Sequence, residues 1–413
     1  MSVRVPLGDE LLTLSLPDCN VTVAEPLGGK PVDLKSAARG ALESPHGPAL
    51  REVVSPDETV AVVVTDVTRA TPDGVLLEVL WEKLTEIGLN RDQLQVVIGL
   101  GLHRPLTDEE ITETVGGFAD CTVNHDPERT VEVGTVDGCP IELFEQVVEA
   151  DVVLSTGMVE PHQYAGFSGG AKTVVIGAGG ESQIRYSHGP EMLGMDGVRL
   201  GRIDENPFRS FLDRAGDIAG VKFCLNVTHG PAGMLGVAAG APRAVVSELA
   251  ATAREALAVE VRGSYDAIVT GVSAPKDANL YQASRAPTYV ALGAHNPLSP
   301  EGTLVVPARL PEGAGEGTGE QRFFQRLSAA ADAESLYQSM KDGYEPGAQR
   351  AFVVAKMLRD QSVTVTNSTC PELVEQCLMN AAPTVEDTIE PGSDVLVIPD
   401  ALNTLLISKG DNS

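Results

Sequence analysis

The strongest constraint on this chain is a recurring pattern, a short unbroken apolar run that stops abruptly at charged or histidine residues. TVAVVVT (59–65) ends in Asp66-Val-Thr-Arg69, VVIGLGL (96–102) ends in His103-Arg104-Pro105, and VVLSTGMVEP (152–161) ends in His162. Runs without polar alternation bury both faces, as strands of a parallel sheet do. Between them lies helical sequence: GVLLEVLWEKLTEIGL (74–89), then a start signal at Thr107-Asp-Glu-Glu110, where hydroxyl and carboxylate satisfy each other's free backbone donors. Strands alternating with helices imply a mostly parallel sheet covered on both sides.

The pattern recurs along the chain. VKFCLNV (221–227) is a further strand, and the Ala-rich, apolar-periodic stretch 241–261 is a long helix. YDAIVTG (265–271), GTLVVPA (302–308), VTVTNS (363–368) and DVLVIPDA (394–401) are strands of a second half, with helix around 281–293 and a flexible loop at PEGAGEGTGEQ (311–321). The 413 residues therefore divide into two α/β domains with mostly parallel sheets, 1–262 and 263–413. There is no repeat at a fixed period.

Charge narrows the partners. Asp and Glu number 58 against 30 Lys and Arg, a net charge of −28, and the basic residues are mostly Arg. Such a surface repels nucleic acid and anionic membranes, so neither is an expected partner. The acids are spread along the chain, which suggests a halophilic surface adapted to high salt. The longest apolar runs are too short to span a bilayer, the N-terminal segment lacks a basic-then-apolar leader, and the six widely spaced cysteines form no C-x-x-C. A cytoplasmic protein with free thiols is expected.

In open α/β sheets, ligands sit beyond the carboxyl ends of the strands. Asp66, Arg69, His103 and His162 all lie there. Arg69 offers a planar fork suited to a carboxylate, with Asp66 able to orient it or a neighbouring hydroxyl; a capped turn with a surface Arg is the structural alternative. His103 follows Gly99-Leu-Gly101, glycines that would let backbone approach a ligand, and its imidazole can act as acid or base near neutrality. His162 and His188 also lie in Gly-rich loops, and His229-Gly-Pro is another possible strand end. Ser168-Gly169-Gly170-Ala-Lys172 looks like an anion cradle but fails the Walker spacing; its lysine could equally carry a covalent adduct.

H-x-x-x-G-F-S-G-G-x-K at 162–172, preceded by D-x-T-R and G-x-H-R-P and followed by His188, resembles the nickel-dependent lactate racemase family in the order and spacing of every element along nearly the whole chain. The resemblance implies a racemase interconverting D- and L-lactate by proton-coupled hydride transfer, with the site in a cleft between the domains. It implies a nickel pincer nucleotide (a pyridinium-3-thioamide-5-thiocarboxylate mononucleotide) tethered to Lys172, with His188 as nickel ligand. His103 and His162 match the acid/base pair, Arg69 and Asp66 the substrate-carboxylate site, and Ser168, Gly169 and Gly170 the cofactor-binding turn. Cofactor-synthesis proteins and a small 2-hydroxy acid are the implied partners. Tyr281-Gln282-Ala-Ser-Arg285 resembles the family's Y-Q-x-x-K element, which closes over the site, but with Arg285 where the family has Lys. That departure leaves open another 2-hydroxy acid or a sugar acid as substrate. A non-catalytic relative and a pyridoxal-phosphate enzyme using Lys172 are the readings from other classes.

Overall fold

A computed structural model describes residues 2–345 and 347–408, so the last residues of the expected second domain, 409–413, lie outside it. The chain forms two compact α/β units. One comprises Gly28–Ser187 and Arg202–Ala256; the other holds the N-terminal residues through Leu27, the segment His188–Gly201 and the chain from Leu257 onward. The C-terminal change of unit lies near the expected 262. The two segments that join the C-terminal unit from earlier in the chain were not expected.

The unit containing Gly28–Ser187 is built on a six-stranded sheet. Its order is Gly233–Gly240, Val221–Gly230, Val152–Met158, Val60–Thr65, Leu94–Gly99 and Thr122–Asn124, with only Gly233–Gly240 antiparallel. The apolar runs became strands because their side chains are covered on both faces. Val60, Val62, Val64, Val96, Ile98, Leu154, Leu225 and Val227 join Leu76, Leu77 and Leu80 of the helix Asp73–Ile87 in one core. Each such side chain, fully buried, stabilises the fold by about 1.5–3 kcal/mol. The helix Asp108–Val115 begins at the capping box foreseen, with Thr107 accepting from the Glu110 amide.

Strand order reverses direction between Val60–Thr65 and Val152–Met158: later strands in sequence lie to opposite sides of this pair. That is the topological switch point where doubly wound sheets open a crevice for ligands. Asp66 and Arg69 leave one of these two strands, Glu160 and His162 the other.

The other unit carries an all-parallel six-stranded sheet in the order Asn380–Ala382, Ser362–Thr366, Leu298–Pro307, Tyr265–Thr270, Asp394–Ile398 and Asn20–Val23. The short polar-alternating NVTV at its edge explains why the N-terminal segment belongs here. Val269, Val305, Val395 and Val397 pack with Val3, Val5, Leu14 and Leu16 of the N-terminal residues. The expected loop at 311–321 ends earlier, because the helix Thr318–Ser328 starts within it, its Gly317 amide bonded to Glu320. All six cysteines are free thiols. No helix among the described residues is long and apolar enough to cross a membrane.

Candidate active site

Four strand ends and one glycine-rich turn converge within the unit built on Gly28–Ser187. Asp66 is buried just beyond Val60–Thr65. One carboxylate oxygen accepts from the Thr68 hydroxyl at 2.6 Å and its amide at 3.2 Å; the other meets His103 Nδ1 at 2.6 Å. Burial works to raise the Asp66 pKa, but the bonds from His103 and Thr68 outweigh it and hold the carboxyl below its usual range. An ionised Asp66 accepts, so Nδ1 of His103 carries the proton and Nε2 is left as a base. His103 is 61% exposed, so its outer nitrogen can meet a ligand.

His162 is bonded in the opposite sense. It lies on a two-residue ladder, Pro161–His162 against Gly166–Phe167, and its Nδ1 accepts the amides of Tyr164 and Ala165 at 3.3 and 3.2 Å. A nitrogen accepting two N–H groups has no proton, so in the neutral ring Nε2 bears it. Gly166 makes the tight turn possible: it has φ +73°, and a Cβ there would lie 1.9 Å from the Arg202 carbonyl oxygen. Asn206 completes the joint by donating to the Tyr164 and Arg202 carbonyls.

Arg69 pairs with Glu160 rather than with Asp66. Its Nη1 donates to Glu160 Oε1, while Oε2 lies 3.4 Å from His229 Nε2. Burial alone would raise the Glu160 pKa, yet the His229 and Arg69 contacts bring it down to about 2.

The turn at 168–172 has a different internal logic from an open anion cradle. The Ser168 amide bonds the Glu160 carbonyl, the Ser168 hydroxyl bonds the Met158 carbonyl, and the Gly170 amide bonds Asn226 Oδ1. These donors fasten the turn to neighbouring strands, while Gly169 (φ +81°) and Gly170 (φ +62°) give it its left-handed bends. Likewise, Gly99 and Gly101 meet protein rather than a ligand. The Gly101 amide bonds the Gly177 carbonyl at 2.8 Å, and a Cβ on Gly99 would lie 3.1 Å from the Gly177 Cα. This contact docks the single π-helical turn Thr173–Gly177, which follows Lys172, against the strand that leads to His103. Such turns recur at functional sites.

Lys172 therefore sits on a fixed backbone. It keeps some accessible surface, but the protein packed round it desolvates the amine, and the cations Arg69 and Arg209 add to the effect. Together these lower its pKa to about 7, against the smaller opposing pull of Glu160 and Asp66. Arg209 is itself buried and paired with Asp213, and its Nη1 has no hydrogen-bond acceptor among the described residues. Asn226 Nδ2, fully buried beside the turn, also lacks a partner there. Beneath Asp66, the buried Asp73 accepts from Thr65 and Thr156, and burial raises its carboxyl to about 7.

Glu160, His229, Asn226 and Arg209 were not singled out as site residues from sequence. Glu160 and His229 at least stood at strand ends. His125 is a core residue, its pKa pushed to about 4 chiefly by burial.

The remaining expected residues belong to the other unit. His188 follows the helix Glu181–Ser187 and precedes the short helix Pro190–Gly194. Gln282 lies on Leu280–Ala283, and Arg285 opens Arg285–Ala291. Gln282 Oε1 and Arg285 Nε are buried without partners among the described residues, an arrangement that suits recognition of a polar ligand. No group of three or more His, Cys, Asp or Glu that could hold a metal occurs among the described residues, so a metal bound through His188 would need donors from a bound organic group.

The same chain is similar to known proteins. Residues 7–201 match the model of the lactate racemase N-terminal domain. A lactate racemase of Thermoanaerobacterium thermosaccharolyticum is 24% identical over 432 residues, covering 99% of this chain and 100% of that protein. One from Lactiplantibacillus plantarum is 26% identical over 390 residues, covering 88% and 89%. The chain is thus similar to lactate racemases along nearly its whole length, and its N-terminal part matches their N-terminal domain. The fold is similar too: the lactate racemase apoprotein from T. thermosaccharolyticum superposes with a TM-score of 0.86 at 22% identity, covering 98% of this chain and all of that one. A Thermotoga maritima protein gives 0.67 at 18% identity, covering 93% and 100%.

Proposed function

We propose that this protein is a member of the lactate racemase family and interconverts D- and L-lactate by proton-coupled hydride transfer, using a nickel pincer nucleotide tethered to Lys172 with His188 as nickel ligand. The relatives that match along the chain are named lactate racemases, which supports the substrate. The observation that carries the chemistry is the opposed bonding of two imidazoles. His103, through Asp66, offers an unprotonated Nε2; His162, through two backbone amides, offers a protonated one.

Inverting a hydroxyl-bearing carbon through a flat keto acid needs a base to take the hydroxyl proton and, once the keto acid has turned, an acid to return a proton to its oxygen. The resting hydrogen bonds leave His103 Nε2 unprotonated as the base, and His162 serves as the acid in its imidazolium form, with Nδ1 protonated in place of its two amide contacts. Arg69, with Gln282 and Arg285 from the Y-Q-x-x-R element, is the set assigned to the substrate carboxylate and hydroxyl.

The residues fit the tethered group. A desolvated Lys172 near pKa 7 is a competent amine nucleophile at neutral pH. The unpartnered Asn226 Nδ2 beside the turn is a donor in search of an acceptor. When bound, the group supplies a hydride acceptor and donor for C2. Cofactor-synthesis proteins would be obligatory partners, and the cytoplasm the place of action.

Arg285 supports a second reading, racemisation or epimerisation of another 2-hydroxy acid or a sugar acid, because guanidinium and ammonium differ in reach and geometry. Both readings meet one experiment. Protein co-produced with the cofactor-synthesis machinery should carry nickel and a covalent mass increment that Lys172→Ala abolishes, and should racemise lactate in a panel of 2-hydroxy acids. Activity on lactate without nickel or increment would overturn the cofactor, and preference for another acid would select the second reading.

A further inference from the structure

We propose that Glu160 is a positioning residue for Arg69, fixing the guanidinium in the orientation that receives the substrate carboxylate. The inference rests on the assignment of Arg69 to substrate binding made above. Arg69 leaves an exposed turn on a long, flexible stem; without a fixed partner its fork would spread over many rotamers and pay that entropy at every binding event.

Glu160 is built to prevent this. Its backbone is held on both sides by one residue: its amide donates to the Ser168 hydroxyl at 3.0 Å and its carbonyl accepts from the Ser168 amide at 2.9 Å. The Ser168 hydroxyl in turn donates to Met158, the last residue of a central strand, at 2.6 Å. A carboxylate on that clamped backbone grips Arg69 with one oxygen and lies 3.4 Å from His229 with the other. His229 comes from the neighbouring parallel strand Val221–Gly230, so the carboxylate has supports on two sides. Glu160 also directly precedes Pro161-His162, so one short segment sets both the carboxylate receptor and one acid/base imidazole.

A purely stabilising ion pair is the competing explanation. The two side chains are part-buried, 34% and 24% exposed, so the pair also contributes to stability. A purely stabilising role would leave substrate affinity unchanged, whereas a positioning role shows in KM.

The test compares wild type, Glu160→Gln and Glu160→Ala, each loaded with cofactor, using both lactate enantiomers. Carboxylate binding is shared by ground and transition states, so Glu160→Ala should raise KM about tenfold or more with a smaller fall in kcat. Glu160→Gln keeps an oxygen that accepts from Arg69 and should recover most of the loss. Crystal structures of the unloaded variants give a readout independent of activity. Arg69 should leave its wild-type orientation in Glu160→Ala and keep it in Glu160→Gln. An unchanged KM in Glu160→Ala, or an Arg69 unmoved in that crystal, overturns the proposal. If loaded wild type racemises no 2-hydroxy acid, the functional reading fails by itself, and the crystals still decide whether Glu160 orients Arg69.

Discussion

Asp66 Oδ2 and His103 Nδ1 lie 2.6 Å apart, linking the ends of two adjacent parallel strands. The bond fixes which ring nitrogen of His103 can act. Asp66→Asn would present an amide donor to Nδ1, move the ring proton to Nε2 and remove the base. It should therefore resemble His103→Ala, with a loss of roughly a hundred- to ten-thousandfold. His162→Ala, which keeps the His103 base, should still convert one enantiomer to keto acid in a single turnover, whereas His103→Ala, left with the protonated Nε2 of His162, should convert neither. Rapid mixing with each pure enantiomer reads this. Equal acceptance of both enantiomers by both variants would end the two-imidazole assignment.

Lys172 should be chemically conspicuous in the unloaded protein. Burial, reinforced by Arg69 and Arg209, brings its amine to about 7, so acylation should show a midpoint near neutrality rather than in the ordinary lysine range. Arg209→Met removes one of the causes and should move that midpoint upward. Linkage gives the stability counterpart. The folded state disfavours the charged amine, so its cost is full below pH 7 and vanishes as pH rises to 10.5, the ordinary lysine value. Lys172→Met should raise the melting temperature at pH 6 and have little effect near pH 10.5.

Salt should matter more than for a balanced protein. With a net charge of −28, self-repulsion opposes the compact state until ions screen it. Melting temperature should climb as KCl goes from dilute to molar, and a flat profile would dismiss the halophilic reading.

Much of this was legible because burial on two faces leaves a simple trace. Val60–Thr65 and Val152–Met158 could be located from composition alone, and the polar residues after them followed from where parallel strands end. The partners were not legible. Nothing in D-V-T-R announces that Arg69 turns from Asp66 to Glu160, ninety-one positions away, because that choice is made by strand order. In sequence the glycines at 99 and 101 suggest room for a ligand, yet they make room for the backbone of Gly177 and Ile176, and one sequence signal serves either purpose. Asn20–Val23 escaped notice because a four-residue edge strand, half exposed, carries almost no apolar signature.

The burial of Asp73 has a consequence for kinetic work. Its carboxyl titrates at about 7, held between Thr65 and Thr156 beneath the site, in the same range as an unperturbed imidazole. A limb near neutrality in a pH–rate curve can therefore come from Asp73 as well as from an imidazole. A limb that belongs to Asp73 should persist after either histidine is replaced and disappear in Asp73→Asn, which makes the aspartate substitution the control needed before any acid or base limb is assigned.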